Sequence, residues 1–197
     1  MKYKALFFDA DGVLIKDKYL FSELLEREHG ISKAKTLPFF TGVFKQCSLG
    51  QADLKEELLK VIVDWDWRGT VDELIDYWLS RGTEIDPEVA DYISGLQKFG
   101  TRCFVATDQE RYRGDFLEEI LGGGKVVEKV FCSANFGCKK KTPEFWGRVF
   151  QTVDGVLKDQ ILFVDDDKEN VQNVSMLGIE SCLFVDLKSL KDFLSQS

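Results

Sequence analysis

Four short runs of apolar and aromatic residues recur along the chain, at 3–8, 102–107, 160–165 and 180–185. They are continuous rather than alternating, and strands that read this way are buried on both faces. Residues 129–132 form a fifth, weaker run. The stretches between carry helix signals instead. Asp86-Pro87-Glu88 supplies an N-cap, a first-turn proline and an acidic first turn for a helix over 89–99, which Gly100 closes; Thr142-Pro143-Glu144 opens another in the same way. Strands alternating with helices predict an α/β fold whose sheet is mostly parallel with helices on both faces. The polar residues at the strand ends, Asp9, Thr107 and Asp165, then share the C-terminal edge of the sheet, where such folds bind ligands.

The alternation fails between 16 and 82. There helical patterns at 22–28, 38–46, 51–64 and 70–80 follow one another, separated by Gly30, Gly50 and Gly69, with no convincing strand. This predicts a helical insertion after the first strand, so that 1–15 and 83–197 form the α/β core and 16–82 a second, small domain. Trp65, Trp67 and Trp78 lie in the insertion among apolar helices, and are expected to build a small core of their own.

Composition narrows the chemistry. Of 197 residues, 34 are acidic and 26 are Lys or Arg, a net charge of −8, which excludes a surface built to neutralise nucleic-acid phosphates. Any phosphate bound here must be handled locally. The single histidine, His29, removes most sites built on Ser-His, Cys-His or His-ligated zinc. It precedes Gly30 at a predicted helix end, where histidine is ordinarily a solvated capping residue. Five cysteines, Cys47, Cys103, Cys132, Cys138 and Cys182, are odd in number and contain no CxxC pair, as expected of a reducing cytoplasm. Asp9 and Asp11 cut the apolar N-terminal run short of a signal peptide, and no stretch approaches the ~20 apolar residues of a membrane span. A soluble, cytoplasmic protein is expected, with neither nucleic acid nor membrane as partner.

Taken singly, an aspartate after a strand is ordinary. Here Asp9-x-Asp11-Gly12 follows one strand, Thr107 ends another, Lys139-Lys140-Lys141 precedes a helix, and Asp165-Asp166-Asp167 ends a third strand. If the sheet gathers these ends, several carboxylates crowd one edge, and two charges 4 Å apart repel by roughly 4 kcal/mol at intermediate dielectric. Such a cluster calls for a cation. Oxygen ligands without His or Cys select a hard ion, which points to Mg²⁺.

These residues resemble the haloacid dehalogenase-like hydrolase superfamily. Its first motif, DxDG, stands as Phe8-Asp9-Ala10-Asp11-Gly12-Val13-Leu14, its second as Phe104-Val105-Ala106-Thr107, and its third lysine matches Lys140 within 137–146. The acidic pair of the fourth is Asp165-Asp166, followed by Asn170 and Gly178 at family-like spacing. The resemblance spans nearly the whole chain. It implies a Rossmann-like three-layer core with a small all-helical cap domain inserted after the first motif, 49–58 resembling a helix of that cap.

The resemblance further implies a phosphatase that works through an aspartyl-phosphate. Asp9 would be the nucleophile and Asp11 the acid and base; Thr107, the Asp108 amide and Lys140 would bind the phosphoryl group. Mg²⁺ would be held by Asp9, Asp11, through its carbonyl, and Asp166, with Asp165 in support. An acid at Asp11 favours esters over haloacids, because halide leaves without a proton whereas an alkoxide does not. Phosphomutase is the alternative within the family, and a non-catalytic phosphate-binding or signalling protein the alternative outside it. Signalling receivers, however, carry their acidic pair first and lysine last. Two departures stand out. Asp108 replaces the usual Asn and brings a further negative charge, and Lys141 replaces the usual Pro, which makes Lys139 and Lys141 rivals of Lys140. The substrate is expected to be a small phosphorylated metabolite, a sugar phosphate by analogy, with Lys16, Lys18, Tyr19 and Phe21 near the mouth of the site.

Overall fold

The computed structural model describes residues 2–16, 19–81 and 83–196. Strands β1 (Ala5–Phe8), β2 (Arg102–Thr107), β3 (Lys129–Cys132), β4 (Ile161–Asp165) and β5 (Glu180–Leu183) form one sheet in the order β3-β2-β1-β4-β5. All of these pairings are parallel, with Phe7 level with Phe104 on one side and Phe163 on the other. The weak run at 129–132 is thus a true strand, at the edge.

Alternate residues of β1, β2, β3 and β4 serve opposite cores, which explains why these runs read as unbroken apolar sequence. The run at 180–185, expected to be buried on both faces, is instead an edge strand that gives only Cys182 and Phe184 to one core and leaves Leu183 exposed. Leu6, Phe8, Val105, Leu162 and Val164 face helices α6 (Pro87–Lys98), α7 (Arg111–Leu121) and α11 (Leu187–Ser195) through Ile93, Leu117 and Leu190. Phe7, Phe104, Phe131 and Phe163 face α9 (Pro143–Thr152) and α10 (Lys168–Met176) through Trp146, Val149 and Val174. Helix α8 (Ser133–Phe136) is a single turn after β3. The core is the expected three-layer, Rossmann-like α/β sandwich.

Between β1 and α6 lie α1 (Phe21–His29), α2 (Lys33–Thr41), α3 (Phe44–Cys47), α4 (Leu54–Val61) and α5 (Val71–Arg81), with no strand among the described residues. Their apolar faces close on a separate cluster containing Phe21, Phe39, Leu58, Trp65 and Leu74, against which Trp67 and Trp78 pack. The helix expected at 38–46 is displaced. Residues 33–41 form the helix, Pro38 lies inside it, and the chain breaks at Gly42 before α3. Thr36 and Phe39, three residues apart and buried, set the face that starts it earlier. A side chain at Gly42 would stand 2.6 Å from the Pro38 carbonyl oxygen, so the break requires glycine. His29 is exposed at the end of α1 beside the rings of Trp67 and Tyr77, and Gly30 turns left-handed after it.

Residues 14–16 and 84–86, on either side of these helices, run side by side. Ile15 bridges antiparallel to Ile85, Lys16 N donates to Glu84 O and Asp86 N to Leu14 O, each at 2.8 Å. Lys16 Nζ lies 2.8 Å from Asp86 Oδ2; Lys18 falls outside the described residues. No helix among the described residues is long and apolar enough to cross a membrane.

Candidate active site

The sheet brings the ends of β1, β2 and β4 together around one lysine. Asp9 continues β1, its N donating to the Val164 carbonyl at 2.8 Å, and is almost fully buried. Asp165 ends β4 with no exposure; its carboxylate accepts from Asp167 N at 2.8 Å and faces Asn170 Nδ2 at 3.3 Å. Lys140 is buried too, and its Nζ lies 2.6 Å from Asp9 Oδ2 and 2.8 Å from Asp165 Oδ2. Its rivals point elsewhere. Lys139 Nζ donates to Ser48 Oγ of the insertion at 3.2 Å, and Lys141 pairs with Glu169 at 2.6 Å on the surface.

Asp108 accounts for how Lys140 is aimed. Its Oδ1 accepts from Lys140 N at 2.9 Å and its Oδ2 lies 3.9 Å from Lys139 Nζ, so the extra charge turns toward the lysine loop. Trp146 Nε1 donates to the Lys140 carbonyl at 2.7 Å and fixes the other side of the same residue. Thr107 is buried at the end of β2, at the same edge.

Asp166 is exposed, but one oxygen from each of Asp9, Asp165 and Asp166 lies within 4.8 Å of the others. Gly12 makes this approach possible. Its φ is +77°, and a Cβ there would stand 2.1 Å from Asp166 Oδ2. Burial pushes the Asp9 carboxyl up to about 7, opposed by the Lys140 ammonium and reinforced by Asp165. Burial also works against the charge of Lys140, but Asp9 and Asp165 outweigh it and its pKa is raised. Asp166 is raised by burial and then by Asp165. Three carboxylates against one ammonium leave an excess of negative charge on oxygen donors alone, which fits a hard divalent cation.

Asp11, two residues beyond Asp9, is half-buried and points to different partners. Arg113 Nη2 lies 2.5 Å from its Oδ1, and Gln109 Nε2 donates to its Oδ2. The sequence pattern did not single out Gln109 or Arg113. The available signal is weak: both follow the strand-ending Thr107, and Arg113 sits in the first turn of α7.

Glu110 caps α7, its carboxylate accepting from Tyr112 N and Arg113 N, both at 2.7 Å. Burial pushes this carboxyl from 4.5 up to about 7, against the pull of the two amides. Between those pH values the unfolded chain ionises Glu110 while the folded protein keeps the proton, so stability falls as pH rises through the window, by at most ~3 kcal/mol. Glu110→Gln keeps one capping bond and removes the titration. Its melting temperature, measured against wild type from pH 5 to pH 8, is expected to gain about 5 °C relative to wild type over that range. A difference that stays flat with pH would show that Glu110 does not titrate there.

The same architecture is found elsewhere. A HAD-like family hydrolase from Porphyromonas gingivalis superposes with a TM-score of 0.78 at 21% identity, covering 98% of each chain. A HAD family enzyme from Bacteroides thetaiotaomicron, solved in complex with magnesium and inorganic phosphate, gives a TM-score of 0.78 at 18% identity over 95% of this chain and 98% of that one. In sequence, the D-ribitol-5-phosphate phosphatase of Bacteroides thetaiotaomicron is 28% identical over 149 residues, 72% of this chain and 70% of the relative. The model of the haloacid dehalogenase-like hydrolases matches residues 3–172, a span that takes in Asp9, Thr107, Lys140 and Asp165, and the chain belongs to that family of hydrolases.

Proposed function

We propose that this hydrolase is a Mg²⁺-dependent phosphatase that removes the phosphoryl group from a small phosphorylated metabolite through an aspartyl-phosphate. The observation that carries this reading is the buried Lys140 ammonium bridging Asp9 and Asp165 beside Asp166. A carboxylate attacking a phosphate dianion meets repulsion that only fixed positive charge can offset. The relatives described with magnesium and phosphate, and with a phosphorylated polyol as substrate, support the same reading.

Asp9, the Asp11 carbonyl and Asp166, with Asp165 in support, would hold Mg²⁺, and the ion would supply positive charge to the phosphoryl oxygens and the attacking carboxylate. An Asp9 oxygen attacks phosphorus in line, and the bond to the leaving oxygen breaks. Asp11 gives that oxygen its proton. In the second half Asp11 takes a proton from water, which attacks phosphorus and returns Asp9 as a free carboxylate, the reversal expected of one acid–base group. Arg113 and Gln109 hold Asp11 in orientation. Lys140 keeps its proton between the two carboxylates, and the Thr107 hydroxyl and Asp108 amide bind the phosphoryl oxygens.

Residues 16–82 act in this proposal as a cap over the core formed by 1–15 and 83–197. Contacts already join the two: Ser133 Oγ donates to Ser48 O at 2.6 Å, and Tyr112 OH to Asp53 at 3.1 Å. The odd number of cysteines without a CxxC pair supports a reducing, cytoplasmic setting.

Hydrolysis of p-nitrophenyl phosphate tests the reading directly. Turnover is expected with Mg²⁺, a fall of at least about 100-fold in EDTA, and recovery on adding Mg²⁺ back. Equal rates with and without EDTA would sink the metal-assisted mechanism.

A further inference from the structure

The cluster around Asp9 accounts for the phosphoryl group, and the leaving group needs room elsewhere. A cavity of about 540 Å³ opens beside Asp11, between the core and the helical insertion. Its volume lies within the range of ligand pockets. Its core side consists of Asp11, Gln109 and Arg113. The opposite walls are chiefly Leu24, Leu37, Phe40, Phe44 and Trp78.

These walls are prearranged. Phe21 stacks on Trp78 at 4.4 Å between ring centroids, and Phe40 and Phe44 meet the same indole at 5.6 and 5.5 Å. Phe40, Phe44 and Trp78 are only half-buried, so each leaves ring surface beyond its contacts in the cluster. Polar side chains on the insertion side are few. They are Tyr19, Ser22 and Lys33, and the Lys33 Nζ is 2.7 Å from Glu23 Oε1. The walls formed by Leu24, Leu37, Phe40, Phe44 and Trp78 are apolar, whereas the core end is wholly polar, next to the residue assigned to protonate the leaving oxygen.

We infer that the cavity selects phosphomonoesters whose leaving group is polar only near the phosphate and carries an apolar or aromatic body, in preference to phosphates of bare polyols. The inference rests on the phosphatase reading for where the phosphoryl group sits. A polyol brings a hydroxyl on every carbon, and each one desolvated against aromatic walls without a partner costs about tenfold in binding. Each methylene buried there gains about 3–4-fold instead. Gln109 and Arg113 reach the first polar atoms, and beyond them the walls are chiefly rings and methyl groups.

Three primary alkyl esters with matched leaving-group chemistry test this: n-hexyl phosphate, 2-phenylethyl phosphate and D-ribitol 5-phosphate, assayed with Mg²⁺. The two apolar esters are expected to exceed the polyol ester at least tenfold in kcat/KM, mainly through KM. Leu37→Asp, at a cavity position 58% exposed and therefore safe for folding, is expected to lower that ratio about tenfold. Calorimetry with n-hexylphosphonate and a polyhydroxylated phosphonate of equal length gives the same ranking without turnover. Equal or reversed ranking in either series, failure of both phosphonates to bind, or a ratio untouched by Leu37→Asp overturns the inference. Ranked phosphonate binding without hydrolysis of any ester, acetyl phosphate included, would support the cavity's preference and remove the phosphatase reading instead.

Discussion

Asp9→Asn is expected to remove hydrolysis of every phosphomonoester, by on the order of 10⁴-fold or more in kcat, because it deletes the attacking atom itself. The asparagine side chain has the same size and still offers an oxygen toward Ala10 N, which the wild-type carboxylate holds at 2.8 Å. The fold should therefore survive, and circular dichroism with a melting curve checks that it does. An amide oxygen is a poor nucleophile toward phosphorus and a weaker ligand for a divalent ion, so both halves of the reaction fail together. Phosphorylated protein trapped by acid quench in wild type and absent in the variant would identify the covalent step. A variant that keeps wild-type turnover would show that Asp9 is not the nucleophile.

Lys140→Met combines the second-largest effect on activity with the largest on stability. The lysine is the charge partner of two buried carboxylates, at 2.6 and 2.8 Å, and its removal leaves Asp9 and Asp165 facing each other in the dry interior. Breaking a buried pair by deleting one partner costs about 3–5 kcal/mol. The metal-free variant is expected to melt correspondingly lower and to regain part of the loss in Mg²⁺, since a cation bound to the carboxylates stabilises the folded state by mass action. Activity should fall by on the order of 10³-fold. Lys139→Met and Lys141→Met serve as controls. Lys141 pairs near the surface, where a pair is worth about 1 kcal/mol or less, and the half-buried Lys139 lies 3.9 Å from Asp108 without touching Asp9 or Asp165, so neither should approach the effect at Lys140. A larger loss at either control would reassign the central ammonium.

Much of this was legible in the chain. Unbroken apolar runs at 3–8, 102–107 and 160–165 announced strands buried on both faces, and the proline-led starts at 86–88 and 142–144 announced two of the covering helices. The order of motifs, with the acidic pair last, separated the chain from signalling receivers. The insertion was visible as a stretch without strands, but its second helix was misplaced. Proline is a strong signal for a helix start, whereas the spacing of Thr36 and Phe39, which commits 33–41 to one buried face, is a weak one.

The sequence by itself determined the strand and helix alternation, the gathering of Asp9, Asp11, Thr107, Asp165, Asp166 and a lysine of 139–141 as candidate chemistry, and the hard-ion preference of its carboxylates. These follow from local patterns and residue type, which any reader of the chain can count. Only the tertiary structure decided which of three adjacent lysines enters the cluster, where the charge of Asp108 goes, and that Gln109 and Arg113 hold Asp11. It also decided that aromatic residues of the insertion line a cavity beside Asp11. The reason is physical: neighbouring lysines are equivalent in propensity and charge, and which one is buried depends on a carboxylate 32 residues away, across the sheet edge.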